Sequence, residues 1–594
     1  MHATAAPVPV AAPRSRAPRQ LLDQLAHACV GLWRARVVLV FTLALPLVWL
    51  LVIGVLAGNA TVEGAGGVRL MQFVTPVAAA MGVLYAAFPT VAISLTQARE
   101  LGTVRRVRGT PMPVRVFLAA RIGAAAAYAL AAVTAVLALA VVAYDVQIVW
   151  RTVPATLVTL LVGTVCFAAM GVAFSVLSPS TAVAQAGSIA TAVVLTFVSG
   201  MFTVGGTLPT WLDRAGSALP LKPFVEALQH QFNPFRAGAG WEPGALAVIA
   251  AWGIVAAAVA TRWSGRVRDD GRTARRAGPV HPGHRPLQPL QPVQPPQPHQ
   301  PLRATGRPDR VRTHRVPTSR PGTGRVAAGA LVAGQVSAAV RSTRRDPGAV
   351  FFALVLPVGL YALMVTMQGA SFEIRPGVRF ADVFAASMVT WGTAVTAFMN
   401  VPESVATARD RGVLKRLRGT PLRPWHYLAG RTTAGLALIL VVAASVLVVG
   451  RGAYGVRPTL GGLLLGLGVL VVGMLSLAAC GFALAALAPD AGSVGAVGLV
   501  VLLPLAFFSD VFINDVPTWM SRVGDLFPLK HLQNALAAAW DPAGASIGWV
   551  HVGVLLAWAL GAGLVAVRRF RWDAAATTPG PRPGRPADQR EVTP

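Results

Sequence analysis

ARELGTVRRVRGTPMPVRVFLAAR, residues 98–121, and ARDRGVLKRLRGTPLRPWHYLAGR, residues 408–431, are two copies of one segment. They align without a gap, so Arg108-Gly109-Thr110-Pro111 recurs as Arg418-Gly419-Thr420-Pro421. Each copy follows one long apolar run and precedes another. A charged segment repeated between apolar runs implies a duplicated membrane domain with a contact surface on one side of the bilayer. That is the layout of a transport protein and not of a soluble enzyme.

The composition around this pair agrees. Of the 594 residues, 54% are hydrophobic and 13% charged, and the mean hydropathy is +0.59, a balance that belongs to polytopic membrane proteins. The formal net charge is +29. Arginines placed outside apolar runs set orientation and meet anionic headgroups, so this charge does not argue for nucleic acid, and none is expected as a partner. Lys222, Lys415 and Lys530 are the only lysines. Cys29, Cys166 and Cys480 have no paired spacing, which supports neither a disulfide framework nor a metal site.

Apolar runs cover about 37–57, 70–96, 117–144, 153–177, 181–205 and 244–261, then 350–369, 380–401, 427–450, 459–487, 492–513 and 547–567. A hydrocarbon core of about 30 Å takes about 20 helical residues. Twelve spans are therefore expected, in an all-α polytopic fold of two tandem six-helix units in parallel orientation. The first run is too long and too firmly continued for a cleaved signal peptide and reads as an anchor. Three arginine clusters fall on one side of this count: Arg14 to Arg36, Arg99 to Arg121 and Arg262 to Arg276. That side is predicted to be the cytoplasm, with both termini and the linker on it.

The domain plan follows. Residues 1–18 are predicted to be a disordered tail, 19–262 the first unit, 263–325 a linker, 326–572 the second unit and 573–594 a polar tail. The linker holds HPGHRPLQPLQPVQPPQPHQPL (281–302), a Pro/Gln tract that favours extended geometry and builds no core. RQLLDQLAHACVGLWRAR (19–36) reads as an interfacial helix, with Leu21, Leu22, Leu25 and Leu32 on one side. The repeat also extends outward from the opening pair. Pro46 matches Pro357, Leu177-Ser178-Pro179 matches Leu487-Ala488-Pro489, and residues 208–228 match 516–536. The last pair is too apolar for a free loop and is predicted to form amphipathic helices in the outer leaflet.

Arg99-Glu100-Leu101-Gly102-Thr103 followed by Arg108-Gly109-Thr110-Pro111 resembles the cytoplasmic signature of ABC-2-type permeases, the membrane subunits of ATP-binding-cassette exporters. The resemblance covers nearly all of both halves. It implies a fused pair of permeases, each docking a separate cytoplasmic ATPase subunit at the segment between spans two and three. The coupling residues it implies are Glu100, Gly102, Arg105, Arg108, Gly109, Thr110 and Pro111, with Asp410, Gly412, Arg418, Gly419, Thr420 and Pro421 in the second copy. Asp410 and Val413 stand where Glu100 and Thr103 are, which predicts unequal coupling by the two halves. On physical grounds such a segment is a short helical peg closed by glycine and proline. Lipid anchoring accounts for Arg115 and Arg121 but not for acids, so Glu100 and Asp410 are the expected central contacts.

No G-x-x-x-x-G-K-[ST] phosphate loop is present, and no catalytic or metal-ligating constellation stands out, so no enzyme activity is expected of this chain. ATP and magnesium would be held by the partner ATPase. The resemblance places a cargo path between the halves, along spans one, two and five. Candidate aromatics there are Trp49, Tyr85, Phe88 and Phe197, with Tyr361, Trp391, Phe398 and Phe507. The expected cargo is a hydrophobic or amphipathic drug, antibiotic or lipid, moved outward across a bacterial plasma membrane. Three other readings stay open: a lipid-linked polysaccharide as cargo, a membrane scaffold, and a proton-coupled transporter of the major facilitator type. The last would need ionisable groups within the spans, and their middles carry essentially none.

Overall fold

The computed structural model describes residues 17–34, 43–58, 60–62, 68–108, 110, 114–201, 209–276, 328–344, 347–417, 419–420, 424–512 and 516–569. Among them, nine helices are long and apolar enough to cross a membrane. In the first half these are helix two (Leu70–Glu100), three (Val116–Tyr144), four (Trp150–Leu177), five (Thr181–Val198) and six (Pro243–Arg262). In the second half they are helix three (Trp425–Tyr454), four (Leu460–Leu487), five (Ala491–Phe508) and six (Trp549–Arg569).

The remaining three apolar runs are helical but shorter or interrupted. Helix one is Leu45–Ala57 in the first half and Leu356–Gln368 in the second, the latter entered through a π-helical turn at Phe351–Val355. Helix two of the second half is Phe380–Ala394 and Val401–Asp410, joined by a π-helical turn at Val395–Asn400. Each of these two π turns ends two residues before a proline, Pro357 or Pro402. Proline donates no hydrogen bond and its ring crowds the preceding turn, and a widened turn gives it room.

Several boundaries differ from the apolar runs. Helix two of the first half continues past residue 96 to Glu100, so the acid ends this helix and does not sit on a separate peg. Helix five stops at Val198 and at Phe508, short of 205 and 513; Gly200 (φ 73°) and Asp510 (φ 55°) turn the chain just beyond. Helix six of the first half runs to Arg276, well into the stretch expected as linker, because no proline interrupts it before residue 279. The Pro/Gln tract and both tails, apart from Ala17 and Pro18, lie outside the described residues.

Helix two is the centre of each half. In the first half 89% of its apolar window is buried, against 17% for helix six. Glycine makes the close approach possible: a Cβ on Gly171 of helix four would lie 2.6 Å from the Phe88 carbonyl, and one on Gly481 would lie 2.6 Å from the Phe398 carbonyl. The helices Ala17–Arg34 and Ala328–Arg344 pack across helix three of their own halves. Leu25 and Cys29 meet Ala124 and Tyr128, whose hydroxyl donates to the Cys29 carbonyl at 3.0 Å.

Between helices five and six each half carries two short helices, Thr210–Ala218 and Leu221–Phe232, then Thr518–Gly524 and Pro528–Ala539. The second of each pair buries its apolar face on helices two and four, with Phe224 seated over Gly163 and Leu532 over Gly473, and the first packs against helix five. Inside each hairpin lies one of the three lysines. Lys222 pairs with Asp213 and donates to its backbone carbonyl at 3.2 Å. Lys530 donates to the Ser521 carbonyl at 2.9 Å and pairs with Asp525 at 3.0 Å. Two small antiparallel ribbons, Thr61–Val62 with Val68–Arg69 and Glu373–Arg375 with Val378–Arg379, link helices one and two. Nothing in the apolar pattern announces them.

The halves meet where helix five of each packs against helix one of the other, or against the residues that lead into it. Val52 packs with Phe507 and Met520, and helix five of the first half lies against residues 347–355 of the second. Each half otherwise keeps its own core.

Candidate functional site

At the end of helix two both repeats build the same knot. Gly102 (φ 69°) and Gly412 (φ 67°) adopt the left-handed conformation that glycine enters without steric cost, and the chain turns there into a short helix. These short helices are Thr103–Arg108 and Val413–Leu417. The Arg106 amide donates to the Gly102 carbonyl at 3.0 Å, which starts the first of them. Thr110 and Thr420 close them: the Thr110 hydroxyl donates to the Val107 carbonyl at 2.7 Å, and that of Thr420 to the Leu417 carbonyl at 2.6 Å. Val107 and Leu414 bury the inner face, whereas Arg106, Lys415 and Arg416 stand exposed. The side chains of Arg105 and Arg108, and residues Gly109, Pro111, Arg418 and Pro421, lie outside the described residues.

The two acids are exposed but not idle. Glu100 accepts from the Thr181 amide at 2.9 Å and from the Thr181 hydroxyl. Asp410 accepts from the Ala491 amide at 2.7 Å. Thr181 and Ala491 are the first residues of helix five, whose amides have no partner within the helix. The preceding arginines bind the opposite helix end. Arg99 donates to the carbonyls of Ser175 (3.0 Å) and Ser178. Arg409 donates to those of Ala485 (2.9 Å), Ala488 (3.2 Å) and Pro489 (3.3 Å). An Arg-acid dipeptide thus spans the turn between helices four and five, cation at the carbonyl end and anion at the amide end, as the helix dipoles favour.

The aromatic candidates divide. Trp49 lies 6.5 Å from Phe507, Phe507 lies 5.3 Å from Phe512, and Phe512 lies 4.9 Å from Trp391, so these rings form one chain between the halves. Phe197 packs from the first half against the core of the second. The others are interior to one half. Phe88 meets Phe174 edge-on at 5.8 Å, and Tyr85 is hydrogen-bonded to Thr196. Tyr361 is fully buried, its hydroxyl donating to the Ala381 carbonyl at 3.2 Å, and Phe398 packs on the second core from the π turn.

The model of the ABC-2 type transporter family matches residues 25–232 and again residues 335–539. The chain belongs to the ABC-2 type transporter family. Among curated relatives, the daunorubicin resistance ABC transporter permease protein DrrB1 of Streptomyces coeruleorubidus is 29% identical over 171 residues, 28% of this chain and 57% of that protein. The probable multidrug ABC transporter permease YbhR of Escherichia coli K12 is 24% identical over 200 residues, 33% of this chain and 54% of that protein. The chain spans about half the length of the curated relatives it matches.

Both ABC-2 units contain elements that the sequence did not single out. Arg99, which opens the signature, and Arg409 lie inside the repeat, but the sequence assigns them no partner, because the carbonyls they bind lie more than 70 positions away. Phe512 joins two of the candidate rings, and nothing in its local sequence distinguishes it from the other aromatics. Glu403 lies on helix two of the second ABC-2 unit, beyond the expected end of its apolar run, and faces Gly495 of helix five. Recurrence of Arg99-Glu100 with Ser178-Pro179 as Arg409-Asp410 with Ala488-Pro489 was the signal available for the knot.

Proposed function

We propose that this chain is the membrane component of an ATP-binding-cassette exporter, with both permease units of the working pair in one polypeptide. The observation that carries the reading is the knot at the end of helix two, built twice from equivalent residues and presenting a short basic helix each time. Two such surfaces suit two cytoplasmic nucleotide-binding subunits, which would supply ATP and magnesium. Twelve spans, cytoplasmic termini and a bacterial inner membrane complete the picture, supported by the apolar runs and the arginine asymmetry.

The cargo we infer is a hydrophobic or amphipathic drug or antibiotic moved outward. The resistance and multidrug names of the relatives support it, as does the ring chain between the halves. A lipid-linked polysaccharide is the alternative cargo for the same architecture. Membership of the ABC-2 family sets aside the major-facilitator reading.

Docking is tested by reversing charge on the exposed short helices. Arg106→Glu combined with Lys415→Glu and Arg416→Glu should lower capture of the cognate ATPase from solubilised membranes by about tenfold or more, the effect of about 1.4 kcal/mol lost at the contact. The variant should still insert. Undiminished capture would remove these helices from the docking surface.

A further inference from the structure

We propose that the dipeptides Arg99-Glu100 and Arg409-Asp410 are mechanical clips that fasten helix five to the coupling segment, so that a displacement of that segment is carried to the contact between the halves. The inference rests on the exporter reading and names how the docked subunit's motion would reach the cargo path.

Three observations in each half converge. Helix two and helix four are in backbone contact, because Gly171 and Gly481 leave no room for a side chain against the Phe88 and Phe398 carbonyls. The arginine then holds the last carbonyls of helix four, at Ser175 and Ser178 or at Ala485, Ala488 and Pro489. The acid holds the first amide of helix five, at Thr181 or Ala491. Residues 101–102 and 411–412 separate these grips from the short basic helices by only a turn. A push on the short helix therefore acts at once on helices two, four and five. Of these, helix five is the one that meets the opposite half: Phe507 packs with Val52 of helix one, and helix five of the first half lies against residues 347–355, which lead into helix one of the second.

The design is indifferent to the length of the acid. Glu100 reaches both the amide and the hydroxyl of Thr181, whereas Asp410 takes the Ala491 amide with one oxygen and meets Arg409 Nε at 3.3 Å with the other. The clip thus assigns the two acids a positioning role. Contact with the ATPase falls to the exposed basic residues beyond the glycine.

The test compares Glu100→Ala/Asp410→Ala with the length exchange Glu100→Asp/Asp410→Glu, in the full chain with its cognate ATPase. Three readouts are taken: ATPase capture, ATP-dependent dye efflux from inverted vesicles, and hydrogen–deuterium exchange at residues 181–183 and 491–493 with and without ATP. The clip predicts that the alanine pair keeps capture and loses efflux by about tenfold, within the range of intramolecular coupling. It also predicts that ATP no longer changes exchange at the start of helix five, and that the length exchange keeps all three readouts near the parent values. Unchanged efflux in the alanine pair overturns the proposal. So does loss of capture in parallel with efflux, which would make the acids docking contacts. So does an ATP response at 181–183 that survives the alanine pair. A parent chain that captures no ATPase would fail the exporter reading instead, before any variant is compared.

Discussion

At Gly171 and Gly481 a single methyl group decides whether helix four can lie on helix two. Within a helix, alanine is ordinarily favoured over glycine by about 1 kcal/mol. Here the added Cβ would stand 2.6 Å from a backbone carbonyl, an atom that cannot rotate away. The sign should therefore reverse: Gly171→Ala and Gly481→Ala should each cost about 1–3 kcal/mol, the range of overpacked sites. Thermal unfolding in detergent measures it, and an unchanged or raised midpoint would contradict the packing described. Such pairs were only half legible in the sequence. The glycines recur at the repeat spacing, but nothing local says which of many glycines faces a carbonyl. The same limit hid the roles of Glu100 and Asp410. Their charge and place ahead of the arginines were visible, whereas their partners lie 81 positions away across a helical turn.

At the scale of elements, most of the architecture was readable, because a span's length and apolarity are properties of contiguous residues. The nine long helices fall on expected runs, and the hairpin helices at 210–232 and 518–539 fall where the repeat placed them. What contiguity does not encode is where a helix changes its winding or where a turn stops it. The π turns at Phe351–Val355 and Val395–Asn400 and the ends at Val198 and Phe508 depend on packing around prolines and on positive-φ residues. The turn at Gly102 and Gly412 can be tested directly. A side chain in the left-handed region costs about 1–2 kcal/mol, so Gly102→Val with Gly412→Val should disfavour the break between helix two and the short helix. ATPase capture should fall by about tenfold, while the substitutions at the neighbouring exposed positions Leu101→Ala and Arg411→Ala should leave it near the parent value. Equal capture by the glycine and neighbour variants would mean that the turn does not position the docking surface.

For the whole molecule, duplication was the most legible property, and the family match at 25–232 and 335–539 covers the same two halves. How the halves join was not legible, since ring contacts such as Trp49 with Phe507 cross from one repeat to the other. That junction separates the aromatic candidates by consequence. Trp49→Ala and Phe507→Ala should change which dyes are exported, with yield near that of the parent. Phe88→Ala and Tyr361→Ala, which empty the interior of one half, should instead lower stability by about 3–5 kcal/mol and reduce yield. Substrate profiling beside fluorescence-detected gel filtration checks both.

On the exporter reading, this membrane protein moves cargo with the energy of a separate ATPase. The most direct measurement is dye accumulation in inverted membrane vesicles carrying the chain and its cognate ATPase, with ATP, vanadate and a proton uncoupler varied in turn. Accumulation should require ATP and the ATPase, stop with vanadate and persist with the uncoupler. Accumulation that runs without ATP on an imposed proton gradient would contradict the account.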